Sequence, residues 1–185
     1  MYNKNYQFKN NEEKERIFLY WYDHNKSGEP ICWIIENYLD VNNFNFCEIG
    51  CQLAGLSDLI LHEFNNSKVY SVDITNHNVS GIENMKNKFT DRFEFLLESS
   101  LESYKKFEDE FFDMIYIDTD PHEYNQLKKE IELWIPKVKT NGILSFHDYD
   151  HVCFPDVTRC LNEYCNEHNF ELNMTEYHNV FFVKK

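Results

Sequence analysis

Two short segments, I-D-T-D-P-H at residues 117–122 and F-H-D-Y-D-H at residues 146–151, concentrate carboxylates and imidazoles. Asp118, Asp120, His147 and Asp148 form a set able to hold Mg²⁺ or Mn²⁺ while leaving positions open for substrate oxygens. Imidazole titrates close to neutral pH and can take a proton from a hydroxyl as a bond forms. His122 and His147 are the candidates for that base, with His151 ranked behind them. The plain alternative is that Asp118 and Asp148 cap loops and each histidine is structural.

A second constellation lies earlier, in C-E-I-G-C-Q-L-A-G-L-S, residues 47–57. Gly50 and Gly55, with Ala54, let a loop turn tightly and approach a ligand. The dinucleotide fingerprint G-x-G-x-x-G is absent, and Glu48 would oppose a pyrophosphate. A ligand with an amino group or a positive centre suits this loop better. Asp73 closes V-Y-S-V-D, where an acid can accept hydrogen bonds from both ribose hydroxyls of a nucleoside. The competing readings are an ordinary strand–helix turn and a helix-capping Asp.

These residues need elements that bring them together. Phe44–Ile49, Lys68–Asp73, Phe93–Leu97, Phe112–Asp118 and Ile143–His147 read as buried strands. Between them run helical patterns: 54–64, 77–89, an acidic Leu101–Glu110, and the stripe Leu127, Ile131, Trp134, Ile135, Val138, stopped by an Asn141-Gly142 turn. Val157, Cys160, Leu161, Tyr164 and Cys165 form a further helical stripe, and Phe170–Met174 and His178–Val183 read as an antiparallel pair. Before residue 44, helices are expected over 12–24 and from Pro30 through Leu39. The whole is one domain, 1–185: an N-terminal helical segment (1–43) and a Rossmann-like core (44–185). The expected fold is α/β, a three-layer sandwich with a mainly parallel seven-stranded sheet and an antiparallel C-terminal strand. In that architecture the strand C-termini share one edge, and ligands bind there.

Composition narrows the partners. The net charge is −14, from 18 basic and 32 acidic residues, which disfavours nucleic acid and anionic membranes. No apolar run is long enough to span a bilayer, and no secretion signal opens the chain, so a cytoplasmic protein is expected. The six cysteines form no C-x-x-C pair and read as reduced, mostly buried thiols. Tyr149, Phe154 and the aromatic run Phe18–Tyr22 either line an acceptor pocket or pack in the core. With little chain before the first strand, any cover over the substrate is thin or comes from a second subunit, which suggests a homodimer.

E-I-G followed by A-G, the acid of V-Y-S-V-D, and F-D-M-I-Y-I-D-T-D-P-H-E-Y…E-L-W-I-P-K-V-K-T-N-G-I-L-S-F-H-D-Y together resemble a class I S-adenosylmethionine-dependent methyltransferase. More narrowly, they resemble the small O-methyltransferase-like family with I-D-x-D…H-x-Y…H-D motifs, over about residues 44–183. The chain departs from that pattern in four places. Ala54 stands where a glycine is usual, Pro121 is extra, Asn141-Gly142 replaces Gly-Gly, and Ser99 takes the place of an acid. The resemblance implies S-adenosylmethionine as cofactor, with Glu48 and Gly50 near its methionine part and Ala54 and Gly55 also among the cofactor-binding residues. Asp73 would hold the ribose, Ile74 would pack on adenine, and Ser99 would lie at the adenine rim. The methyl would point toward Asp118, His122 and His147. Metal-dependent relatives favour Asp118, His147 and Asp148 as ligands. The implied function is O-methylation of a small hydroxylated acceptor such as a sugar, with His122, His147 and Asp148 catalytic. The alternatives are a nicotinamide-dependent oxidoreductase and a non-catalytic cofactor-binding module.

Overall fold

The computed structural model describes Tyr6, Phe8 and residues 27–185. The helix expected over 12–24 and the aromatic run Phe18–Tyr22 lie outside the described residues. Seven strands form one sheet: β1 (Phe44–Ile49), β2 (Ser67–Asp73), β3 (Phe93–Leu97), β4 (Phe112–Ile117), β5 (Val138–Phe146), β6 (Asn173–Met174) and β7 (Val180–Val183). Their order is β3-β2-β1-β4-β5-β7-β6. All run parallel except β7, which is antiparallel to both β5 and β6. The expected fold class is therefore the observed one.

Alternation along the central strands explains the layers. In β1 and β4, Phe44, Phe46, Met114 and Tyr116 face one core, and Cys47, Ile49, Ile115 and Ile117 face the other. The first core is covered by α1 (Gly28–Tyr38), α2 (Gly55–Glu63) and α3 (Val79–Lys88). The second is covered by α5 (Tyr124–Trp134) and α6 (Pro155–His168), with the four-residue α4 (Ser100–Ser103) at its margin. Helix α6 buries Val157, Cys160, Leu161, Tyr164 and Cys165, starts on Pro155 and ends at Asn169 in the left-handed conformation. Five of the six cysteines are buried and all are free; Cys153 is exposed.

Several expected elements differ in extent: β5 begins at Val138, a residue expected in the preceding helical stripe, and only Asn173–Met174 of the expected Phe170–Met174 strand pairs as one. The acidic helix over Leu101–Glu110 is shorter: α4 passes into a 3₁₀ turn at Tyr104–Lys106 and ends there. Residues 102–110 carry mostly charged and polar side chains, so little apolar surface holds a longer helix to the sheet. The Asn141-Gly142 pair does not end a helix. It lies inside β5, where Phe112 pairs with Val138 but Met114 pairs with Ile143, an interruption of register. Asn141 takes a φ of +65°, and a Cβ on Gly142 would lie 2.9 Å from the Asp113 carbonyl oxygen. The turn chemistry is real, but it serves a bulge.

The strand order reverses between β1 and β4. Crossovers from β1 lead to one side of the sheet and those from β4 to the other, leaving a crevice at their C-terminal ends.

Candidate active site

Gly50 closes β1 with a φ of +81°. Its amide donates to the Val72 carbonyl at 2.9 Å, and the Asp118 amide donates to the Ile49 carbonyl at 2.9 Å. A Cβ on Gly50 would lie 2.0 Å from the Asp118 carbonyl oxygen. Only glycine lets the loops after β1 and β4 touch here. Above this contact opens a cleft of about 560 Å³, lined among others by Gly50, Asp73, Ile74, Glu98, Ser99 and Asp118. Its size suits a nucleoside-bearing ligand.

The Asp73 carboxylate accepts from the Gln52 amide at 2.8 Å and the Thr75 amide at 2.9 Å. Those bonds fix both loops and leave lone pairs for further donors. Beside it, Ile74 is 73% exposed, an apolar face that a purine ring would cover. The described lining carries Asp73, Glu98, Asp118 and Asp120 and no Lys or Arg. That field favours a sulfonium and an ammonium over a pyrophosphate, so the residues present fit S-adenosylmethionine and fit a nicotinamide dinucleotide poorly.

Three of the expected cofactor residues lie off this cleft. Glu48 is buried at the start of α2, where its Oε2 accepts from the Ser57 hydroxyl at 2.5 Å and the Ser57 amide at 3.1 Å. Ala54, the N-cap residue, offers no side-chain acceptor, and Glu48 supplies one from the neighbouring strand. Burial pushes the Glu48 carboxyl up to about 8, against the pull of the Ser57 bonds and with the nearby Asp118 and Asp73 adding to the rise. Ala54 and Gly55 border a separate depression between α2 and α3.

Past the ends of β4 and β5 four side chains meet. His122 Nε2 lies 2.8 Å from Asp148 Oδ2 and 3.7 Å from Asp118 Oδ1. His147 Nδ1 lies 3.2 Å from Asp148 Oδ1 and 3.7 Å from Asp118 Oδ1. His122 and Asp148 hold left-handed backbone conformations, with φ of +25° and +60°, which non-glycine residues adopt at a cost of about 1–3 kcal/mol. Phe154 stacks on the His122 ring, with centroids 4.2 Å apart and planes at 25°. Burial works against a proton on His122, but the carboxylates of Asp118 and Asp148 outweigh it and lift the imidazole to about 10. His147 is raised by the same balance. Burial alone would raise Asp148, yet the two imidazoles hold its carboxyl well below the usual range.

Donor atoms of Asp118, His122 and Asp148 all lie within 4.8 Å of one another. Neither buried nitrogen of His122 has an aligned hydrogen bond, so its close carboxylate contacts are ionic by distance alone. Adjacent ligands on an octahedral Mg²⁺ stand about 3 Å apart, and contacts of 2.8 and 3.7 Å bracket that spacing. The donor set fits a hard divalent cation. His147, expected as a ligand, stands beside this trio. Sequence reasoning missed Glu98, Thr119 and Gln126 on the cleft wall. Glu98 and Thr119 lie just past the ends of β3 and β4, where ligands of this architecture bind, whereas nothing local distinguished Gln126.

A second bowl, of about 490 Å³, is lined by Asp120, Pro121, His122, Glu123, Cys153, Phe154, Pro155 and Asp156. It shares Asp120, Pro121 and His122 with the cofactor-sized cleft. His151, ranked third as a base, stacks on Phe154 at 5.0 Å and lines neither space. Among the described residues, no helix is long and apolar enough to cross a membrane.

A family model described as a methyltransferase domain matches residues 47–149. No curated protein matches the chain. Among solved structures, the SAH-bound methyltransferase PaMTH1 from Podospora anserina is similar with a TM-score of 0.72 at 13% identity, over 98% of this chain and 90% of that one. The O-methyltransferase NovP gives a TM-score of 0.64 at 15% identity, over 82% of this chain and 75% of that one. A SAM-dependent methyltransferase from Aquifex aeolicus gives 0.62 at 13% identity, over 92% of this chain and 98% of that one. At such identities the likeness is one of fold.

Proposed function

The chain belongs to the methyltransferase-domain family and is an S-adenosylmethionine-dependent enzyme, and on that footing we propose that it methylates an oxygen of a small hydroxylated acceptor, a sugar being the class its surfaces suit best. The observation that carries this reading is the junction at His122, which lines both the cofactor-sized cleft and the second bowl. S-adenosylmethionine supplies a methyl group on a positively charged sulfur. Asp73 holds the ribose, Ile74 covers the adenine, and Ser99 borders its rim. Asp118 and the flat backbone at Gly50 bound the space toward the reactive end.

The acceptor's surroundings speak to its class. Pro121, Phe154 and Pro155 offer apolar faces for the C–H side of a ring, and Asp120, Glu123 and Asp156 offer acceptors for hydroxyl groups. With three carboxylates and no Lys or Arg in the described lining, the bowl suits a neutral or cationic acceptor and repels an anionic one. Alignment of the hydroxyl with the methyl carbon is the larger part of such a reaction. Asp118 Oδ1 at the junction is placed to take the hydroxyl proton, and the His122 imidazolium, with Nε2 3.7 Å away, steadies that carboxylate. Asp148 and His147 hold those two groups in position. Mg²⁺ or Mn²⁺, held by Asp118, His122 and Asp148, would acidify the hydroxyl. The related O-methyltransferase NovP supports oxygen as the target.

The test is methyl transfer from radiolabelled S-adenosylmethionine to panels of neutral, cationic and anionic hydroxyl compounds, with and without Mg²⁺. Label should reach a neutral or cationic acceptor. Asp148→Asn and His122→Ala should abolish transfer while leaving S-adenosylhomocysteine affinity within about threefold, a loss in the chemical step alone. Undiminished transfer in both variants would overturn the mechanism.

A further inference from the structure

Glu130 is a buried carboxylate that the chemistry above does not use; its exposure is 0%. It lies on α5, beneath the floor of the cofactor-sized cleft. Its Oε1 accepts from the Ser100 hydroxyl at 2.6 Å, and its Oε2 accepts from the Thr119 hydroxyl at 2.7 Å. The Gln126 side-chain amide, 3.4 Å away, donates to Oε1 and also to the Asp120 carbonyl at 3.1 Å. One turn along the same helix, Trp134 Nε1 donates to the Ser100 carbonyl at 2.9 Å. Ser100, Thr119 and Gln126 all line the cleft. Ser100 follows β3 on the nucleoside wall, and Thr119 follows Asp118 on the reactive wall.

We propose that Glu130 is a positioning residue that joins the two walls of the cleft, holding Ser100 and Thr119 on one buried carboxylate so that the cofactor meets both at a fixed separation. This rests on the reading that the cleft takes S-adenosylmethionine. A buried carboxylate is costly unless its lone pairs are filled, and here they are filled by side chains lining the ligand space. Removing the carboxylate leaves two hydroxyls without their acceptor and frees the loop that carries Asp118. Glutamine keeps the shape and can keep both contacts, because a serine or threonine hydroxyl can either donate or accept. Leucine fills similar volume and keeps neither.

The experiment is calorimetric titration with S-adenosylhomocysteine, well below the melting temperature, of wild type, Glu130→Gln and Glu130→Leu. Glu130→Leu should bind about tenfold more weakly, the scale of hydrogen bonds to a charged group. Glu130→Gln should stay within about threefold of wild type, a rescue that follows from its retained contacts. A purely structural role would lower the melting temperature of Glu130→Leu and leave its affinity unchanged, which would overturn the proposal. If Glu130→Leu does not fold, Thr119→Val against Thr119→Ser decides. The valine should weaken binding by about fivefold and the serine should not; equal affinities would overturn the proposal. Wild type that takes up no S-adenosylhomocysteine sinks the cofactor reading, and this inference with it, whereas tight wild-type binding retained in Glu130→Leu sinks this inference alone.

Discussion

At the scale of single residues, Glu48 shows how a strand-end acid can serve the fold instead of the ligand. Its carboxyl, raised to about 8 by burial, keeps a proton in the folded chain that it releases at ordinary carboxylate pH when unfolded. The folded state therefore binds more protons than the unfolded state between about pH 4.5 and pH 8. Stability from this group is full below that window, falls as pH rises through it, and is flat above. Melting curves of wild type and Glu48→Gln from pH 5 to 8.5 should converge at the acid end. Toward pH 8 wild type should fall below the variant by about a few degrees; parallel curves would refute the assignment. The sequence placed Glu48 correctly at the end of a strand. It could not say that the side chain faces α2, because that depends on which neighbour lacks a cap, and Ala54 is that neighbour. Asp118, His122, His147 and Asp148 were legible because two strand ends that the fold makes adjacent both carry an acid and an imidazole. Glu130 was invisible: one more acid in a helical stripe, whose burial arises only when loops from β3 and β4 close over it.

At the scale of elements, the β1–β4 contact sets the cleft. Gly50→Ala adds a methyl that must displace the Asp118 backbone and forces alanine into a left-handed φ. The expected cost is about 3 kcal/mol, from overpacking together with the conformational penalty. Chemical denaturation measures it, and a loss below about 1 kcal/mol would mean that the loops part without consequence. The strands were readable because apolar runs of five or six residues end in turns or acids. The β5 bulge was not readable as such, since Asn-Gly in a left-handed step serves a turn and a bulge equally. The short α4 was overextended because an acidic run has helical propensity without a face to bury. Its observed end reflects missing tertiary contact, which no local pattern reports.

At the scale of the whole molecule, the net charge of −14 is the dominant long-range fact. Like charges repel across the surface, and salt relieves that repulsion as the screening length falls from about 30 Å at 0.01 M to 8 Å at physiological ionic strength. The melting temperature should rise by about a few degrees over that range; a flat or falling series would show that specific ion pairs dominate instead. The same field extends to both ligand spaces, so donor and acceptor are filtered by charge before they touch a side chain.

Strand β7 has one further consequence. It is drawn from residues 180–183 yet sits between β5 and β6, which both precede it. A chain emerging from the ribosome can pair β1 through β5 as they appear, but the slot beside β5 stays vacant until residues 180–183 clear the exit tunnel. Completion of the sheet thus waits on the tail of this segment. During translation the nascent chain presents a bare edge at β5, open to pairing with a stray strand until its own partner arrives.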